Sequence, residues 1–262
     1  MIGLKGTPFE MLATNPLTKW RKNTFWTKEP ETIQWIRSFG KDYNHTGDNN
    51  NTKYREPVFV DIGANVGIYS LYAAWLYPAM RIIAIEPDIN NYMELIQNIN
   101  LNGFRNIIPM NMAIGAYCKT LHFQSTSQIA GNSFGNLVEF PSRVNQHGIE
   151  LFGRALLSIT IDYLSQISKI DFIKIDIDGG EYDAVFGMKD TLGKMKTMLI
   201  EFDTADSRYG TIKNYINGGG YIPYSEINSM SDHSRHRRKE EGHGHIENIV
   251  FKKMKPGMAE DH

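Results

Sequence analysis

The sequence predicts an α/β fold: a doubly wound, mostly parallel sheet with an antiparallel strand at its C-terminal end. Three observations predict it. From residue 57 onward, short apolar segments alternate with helical ones, the pattern of a parallel sheet wrapped by helices. Segments such as "VFVDI" and "DFIKIDID" are apolar without strict alternation, as strands covered on both faces are. "YIPYSEI" and "IENIVFKK" then read as a closing antiparallel pair.

Taken in order, residues 1–40 read as irregular chain followed by a helix in "TKEPETIQWIRSFG". Thr27 is its cap candidate, Pro30 sits near its first turn, its acids come early and Arg37 late, and Gly40 is its stop. Trp35, Ile36 and Phe39 would form the buried face. The Asn-rich stretch 40–56 reads as a loop and boundary, giving an N-terminal arm (1–56), a main domain (57–255) and a tail (256–262). Within the main domain, "VFVDI", "RIIAIE" and "NIIPMNMAI" are strands, separated by helices in "GIYSLYAAWLY" and "NNYMELIQNINLNG". Tyr92, Leu95, Ile96 and Ile99 would share one face of the second helix. "KTLHFQ" is an extra strand, and residues 125–157 read as loop. After a short strand in "LLSITIDYL", "DFIKIDID" and "TMLIEFD" flank a helix in "GEYDAVFGMKDTLG", and "TIKNYINGGGY" is a helix ended by glycines.

The 262 residues carry a net charge of -1, so no overall field draws in nucleic acid or an anionic membrane. No apolar run has the length of a membrane span or a signal peptide. A single cysteine, Cys118, allows no intrachain disulfide, and a reducing, cytoplasmic setting is expected. Cys118 has no base partner in sequence and is not read as a nucleophile.

In a doubly wound sheet, ligands bind at the carboxyl ends of strands near the switch point. The first strand ends in Asp61 and enters "GANVG", with Gly63 and Gly67. Asn65 stands where a dinucleotide fingerprint has its middle glycine, and Asp61 would repel a phosphate. A ligand with a cationic group near Asp61 fits better, its carboxylate held by loop amides. Glu86 ends the next strand, about 25 residues on, where an acid holds ribose hydroxyls. An unphosphorylated nucleoside with an amino acid tail satisfies both acids, and S-adenosylmethionine is such a molecule.

These residues resemble the FkbM-like family of S-adenosylmethionine-dependent methyltransferases. "VDIGANVGIYSL", "AIEPDINNYMELIQNINLNG", "MAIG", "ITIDYL" and "IDFIKIDIDGGEYDAVFGM" follow the family's order and spacing. The resemblance implies a Rossmann-like fold of the class I methyltransferase type, with O-methylation as the commonest activity. It implies that Asp61, Gly63, Asn65 and Gly67 line the methionine end, Glu86 holds the ribose, and Pro87 and Asp88 flank the adenosine. Ala113 and Ile114 would pack near adenine, and Asp176 would face the sulfonium and acceptor. The family's usual D-V-E-G-A-E reads Asp176-Ile177-Asp178-Gly179-Gly180-Glu181 here, with a shorter carboxylate at 178.

Methyl transfer to a hydroxyl needs alignment and a base. Asp176, Asp178, Glu181 and a downstream histidine are the candidates, and Asp176 is expected to position ligand or acceptor. Lys174 would balance Asp176, and Glu181 would equally suit a helix dipole. His233, His236, His243 and His245 read first as a solvated loop, then as an acceptor flap, then as a metal site. His45, His122 and His147 look incidental. Trp20, Trp26 and Trp35 would either cover the pocket or pack the arm on the sheet. The expected acceptor is a hydroxyl on a small molecule or glycan, with neither nucleic acid nor membrane as partner. The competing readings are a nicotinamide-dependent oxidoreductase, which Asp61 and Asn65 disfavour, and a catalytically silent S-adenosylmethionine-binding module.

Overall fold

The computed structural model describes residues 7–43, 55–133, 135–145, 147, 150–229 and 245–254. The arm folds into α1 (Pro16–Asn23), α2 (Phe25–Lys28) and α3 (Pro30–Tyr43). The main sheet begins with β1 (Val58–Ile62), α4 (Ile68–Leu76), β2 (Arg81–Ile85), α5 (Ile89–Asn102) and β3 (Ile107–Met110). A second sheet is built from β4 (Ala113–Ile114), β5 (Lys119–Ser125), β6 (Gly135–Val138) and β7 (Phe152–Ile159). The chain then returns through α6 (Ile161–Ile167), β8 (Phe172–Ile175), α7 (Glu181–Phe186) and β9 (Thr197–Asp203). It ends in α8 (Tyr209–Gly218), β10 (Tyr221–Pro223), α9 (Ser225–Asn228) and β11 (Ile246–Lys253).

The main sheet has seven strands in the order β10-β11-β9-β8-β1-β2-β3. β11 alone runs antiparallel to its neighbours, and the remaining pairings are parallel. The expected mostly parallel, doubly wound sheet is therefore present, with its antiparallel strand near the C-terminus. The order reverses between β1 and β8, which makes their carboxyl ends the switch point.

Strand side chains sort by period two into two cores. Val58, Val60, Ile62, Ile173 and Ile175 pack with Tyr182, Val185, Ile212 and Ile216. Phe59, Phe172, Leu199 and Val250 pack on the other face with Trp35, Ile36, Phe39 and Leu71. Phe9, Met11 and Phe25 join that second core, so the arm is built into the sheet's packing. Trp35 is wholly buried and donates to Thr197, and Trp26 packs against Phe25 and Tyr72. Trp20 is exposed, and none of the three tryptophans lines the central cavity.

Several element boundaries differ from expectation. α1 falls in chain read as irregular, although Asn15 and Thr18 form a capping box around Pro16. Thr27 lies inside α2, and α3 runs past Gly40, whose N–H donates to the Tyr77 hydroxyl. "NIIPMNMAI" divides between two sheets, with β3 in one and β4 in the other. Residues 125–157 contain β6 and most of β7. The first residues of β7 are exposed, so they carry no apolar signal.

The buried face of α5 is also rotated from the expected one. Asn91, Glu94 and Asn98 are buried beside Leu95 and Ile99, while Tyr92 and Ile96 are only half-buried. The cause is the arm, whose backbone needs partners. Leu12 N–H donates to Asn98, Glu10 exchanges two hydrogen bonds with Asn102, and Thr14 donates to Glu94.

Gly63 sits where the loops after β1 and β8 touch. Its φ is 79°, and a Cβ there would lie 1.8 Å from the Asp176 carbonyl oxygen. Backbone occupies that space, so rotamer changes cannot relieve the clash. Gly63→Ala is expected to destabilise the fold by about 3 kcal/mol or more, read by urea unfolding, through combined overpacking and left-handed strain.

Candidate active site

A cavity of about 560 Å³ opens at the carboxyl ends of β1, β2 and β8. Its floor is the main sheet and its loops. Its roof is the second sheet, from which Lys119, Leu121, Phe123, Leu137 and Ser158 line it. Gly63, Asn65, Glu86, Pro87, Asp88, Ala113, Ile114, Asp176 and Asp178 all line this one space, as the sequence reading grouped them. Asp61, Gly67 and Glu181 do not.

Asp61 lies beneath the loop, only 1% exposed, with one oxygen accepting from the Ser70 hydroxyl at 2.6 Å. Its other oxygen has no hydrogen-bond partner among the described residues. It is paired in register with Lys174 on β8, and it is not among the residues lining the cavity, where a ligand cation was expected to pair with it or lie near it. Gly67 caps α4 with φ 92° and packs against Leu95, so its role is local. Glu181 turns back to accept the N–H groups of Ile177 and Gly179, bracing the loop that carries Asp178.

The loop amides depart from expectation in a second way. Gly63 and Ala64 N–H donate to the Ile85 carbonyl, Asn65 N–H to Glu86, Val66 N–H to the Asn65 side chain, and Gly67 N–H to Ala64. Every amide from 63 to 67 is engaged, so the loop offers none to a ligand carboxylate in this conformation. Asn65 itself has φ 52°, a left-handed conformation that asparagine tolerates.

Glu86 accepts from the N–H groups of Asn65 and Asp88 and from the Asn91 side chain. Burial pushes its carboxyl up to about 7, against those hydrogen bonds. Oε1 already accepts two hydrogen bonds and Oε2 only one, so Oε2 keeps capacity for a ribose hydroxyl.

Lys174 is the buried cation of the site, 1% exposed. Its ammonium lies 2.5 Å from Asp176 and over the Tyr69 ring. Burial alone would lower its pKa, but Asp176, Asp61 and Glu29 raise it well above the usual lysine range. Burial raises Asp61 despite Lys174. Burial also opposes ionisation of Asp176, yet Lys174 holds it below its ordinary value. The pairing anticipated for Lys174 and Asp176 is therefore observed. Asp178 follows in a left-handed turn, φ 50°. Burial, then the charges of Asp176 and Glu181, push its carboxyl up to about 7.

Residues the sequence reading did not single out also reach the cavity. Loop 129–133 crosses its mouth, where the Asn132 carbonyl accepts from both Asn65 and Asn91 at 2.9 Å. Arg21, from α1, donates to the Gly131 carbonyl and the Ser133 hydroxyl. Arg21 and Lys28 line the cavity although the arm was read as packing. The only signal for them was the unrecognised cap of α1. His233, His236 and His243 lie outside the described residues. His245 is exposed beside Asp203, and His122 and His147 are not among the lining residues.

Residues 61–245 match the family described as the methyltransferase FkbM domain. The chain belongs to that family. S-adenosylmethionine is its cofactor, and the lining is compatible with it: Glu86 keeps capacity for a hydroxyl, Ala113 and Ile114 give an apolar corner, and Asp176 and Asp178 present carboxylates. Methyltransferase sdnD of Sordaria araneosa is 27% identical over 158 residues, 50% of this chain and 60% of that relative. The chain thus spans less than two thirds of that relative's length. Methyltransferase 1 of Beauveria bassiana (strain ARSEF 2860) is 21% identical over 176 residues, covering 62% of this chain and 71% of the relative. Among solved structures, precorrin-6y C5,15-methyltransferase from Geobacter metallireducens GS-15 is 14% identical with a TM-score of 0.43, covering 82% of this chain and 79% of that one. Among the described residues, no helix is long and apolar enough to cross a membrane.

Removing Lys174 would leave Asp61 and Asp176 without their buried counter-charge. Lys174→Met is expected to cost about 3–5 kcal/mol in urea unfolding. Adding Asp176→Asn to that variant is expected to recover part of the loss.

Proposed function

We propose that the chain is an O-methyltransferase acting on a hydroxyl of a small molecule or glycan that carries no net negative charge. The observation that carries this reading is Asp178, a carboxylate facing the cavity with its pKa raised to about 7. A hydroxyl acceptor needs its proton removed, and a base titrating near operating pH suits that task. The acceptor's charge follows from the lining. Glu86, Asp88, Glu139, Asp176, Asp178, Asp183 and Glu201 outnumber Arg21, Lys28 and Lys119. Lys28 and Lys119 are already paired with Glu29 and Glu139. A phosphate-rich or carboxylate acceptor would meet a repulsive field there, and nucleic acid is disfavoured for the same reason.

In this mechanism Glu86 holds the ribose, and Ala113 and Ile114 pack the adenine. S-adenosylmethionine, when bound, supplies an activated methyl group. Asp176, kept ionised by Lys174, faces positive charge and orients the acceptor. Asp178 accepts the hydroxyl proton. Glu181 keeps the Asp178 turn in place through the amides of Ile177 and Gly179. The roof from the second sheet excludes water from the reacting groups.

The test uses methyl-labelled cofactor with a panel of neutral polyols and glycans. For an acceptor so identified, kcat/KM is expected to rise about tenfold per pH unit below about 7 and level off above it, because the base works deprotonated. Asp178→Asn is expected to lower kcat by about 10²–10⁴ and to remove that limb, with cofactor binding kept. An unchanged pH profile in Asp178→Asn would remove Asp178 from the base role.

A further inference from the structure

The engaged amides of loop 63–67 leave the cofactor's amino acid carboxylate without its expected partner. We propose that Arg21, reaching in from α1, is the residue that binds this carboxylate. The proposal rests on the S-adenosylmethionine reading of the cavity and goes beyond it, since Arg21 lies outside the matched segment 61–245.

Three observations converge on Arg21. First, the lining is strongly acidic, so a carboxylate entering it needs a cation. Lys28 pairs with Glu29 and Lys119 with Glu139. Among the described residues, no carboxylate forms an ion pair with Arg21. Its Nε and Nη2 donate only to neutral groups, the Gly131 carbonyl at 2.9 Å and the Ser133 hydroxyl at 2.5 Å. Nη1 is left for a further acceptor, and guanidinium groups suit carboxylates in geometry and charge.

Second, the guanidinium is held beside the glycine loop. Gly131 and Ser133 flank Asn132, whose carbonyl accepts from the Asn65 side chain. The Arg21 head therefore stands on the loop segment that is tied to Asn65, where the methionine end is expected. Third, its placement is built. Asn15, the cap of α1, donates to the Ala130 carbonyl, and Thr18 packs under Gly131, where an added Cβ would come within 3.0 Å. The helix carrying Arg21 and the loop at the cavity mouth thus form one unit.

The test is calorimetric and needs no acceptor. S-adenosylmethionine and its decarboxylated form are titrated into wild type and Arg21→Met, with thermal unfolding as a check on folding. The decarboxylated form keeps the sulfonium and the amine and lacks only the carboxylate. Wild type is expected to prefer the complete cofactor by about 10- to 100-fold, and Arg21→Met to abolish that preference by weakening the complete cofactor alone. Arg21→Lys, which keeps the charge, is expected to retain part of the preference. Equal binding of both ligands by wild type would overturn the proposal, as would a preference that survives in Arg21→Met. An equal loss of both ligands in Arg21→Met would assign Arg21 a structural role instead. Wild type binding neither ligand would overturn the cofactor reading itself, which separates that failure from failure of the Arg21 assignment.

Discussion

One buried ammonium holds the site together. Lys174 sits between Asp61 on the neighbouring strand and Asp176 two residues along its own, with Glu29 of the arm contributing to its field. Burying a charge costs several kcal/mol unless it is paired, and here the pairing spans three segments of chain. The consequence is functional as well as structural. Asp176 stays ionised at the cavity, and its charge in turn helps raise Asp178 beside it. Two neighbouring carboxylates thereby acquire different proton affinities, the separation that lets one orient and the other accept a proton.

The loops that carry these acids are fixed by backbone contact. Gly63 passes against the Asp176 carbonyl, so the β1 and β8 loops cannot shift independently. Around them the arm and the second sheet close the cavity. The arm is zipped onto α5 through Asn98 and Asn102, and α1 grips the loop at the mouth through Asn15 and Arg21. The family match begins at residue 61, yet the arm contributes to both the core and the cavity lining.

The sheet was legible because its strands are short, apolar and regularly spaced, and because "GANVG" and Glu86 mark strand ends by their chemistry. The grouping of Glu86, Ala113, Asp176 and Asp178 in one cavity followed from that topology. Asp61 lies beneath the loop and outside the cavity lining, and sequence spacing does not show that it stands in register with Lys174. The loop amides were expected to be free because the acceptors of three of them, Ile85 and Glu86, come from another strand, while Val66 and Gly67 donate within the loop itself. β6 and the start of β7 escaped notice because a roof strand facing solvent lacks an apolar period. Arg21 and Asn91 escaped because their partners lie 110 and 40 residues away.

The most direct test of this account is a crystal structure with S-adenosylhomocysteine bound. The account predicts ribose hydroxyls on Glu86, adenine against Ala113 and Ile114, and the homocysteine end beside Asn65 and Asp176. A ligand bound outside this cavity, or lying in it with its adenine at Asp176, would contradict the account.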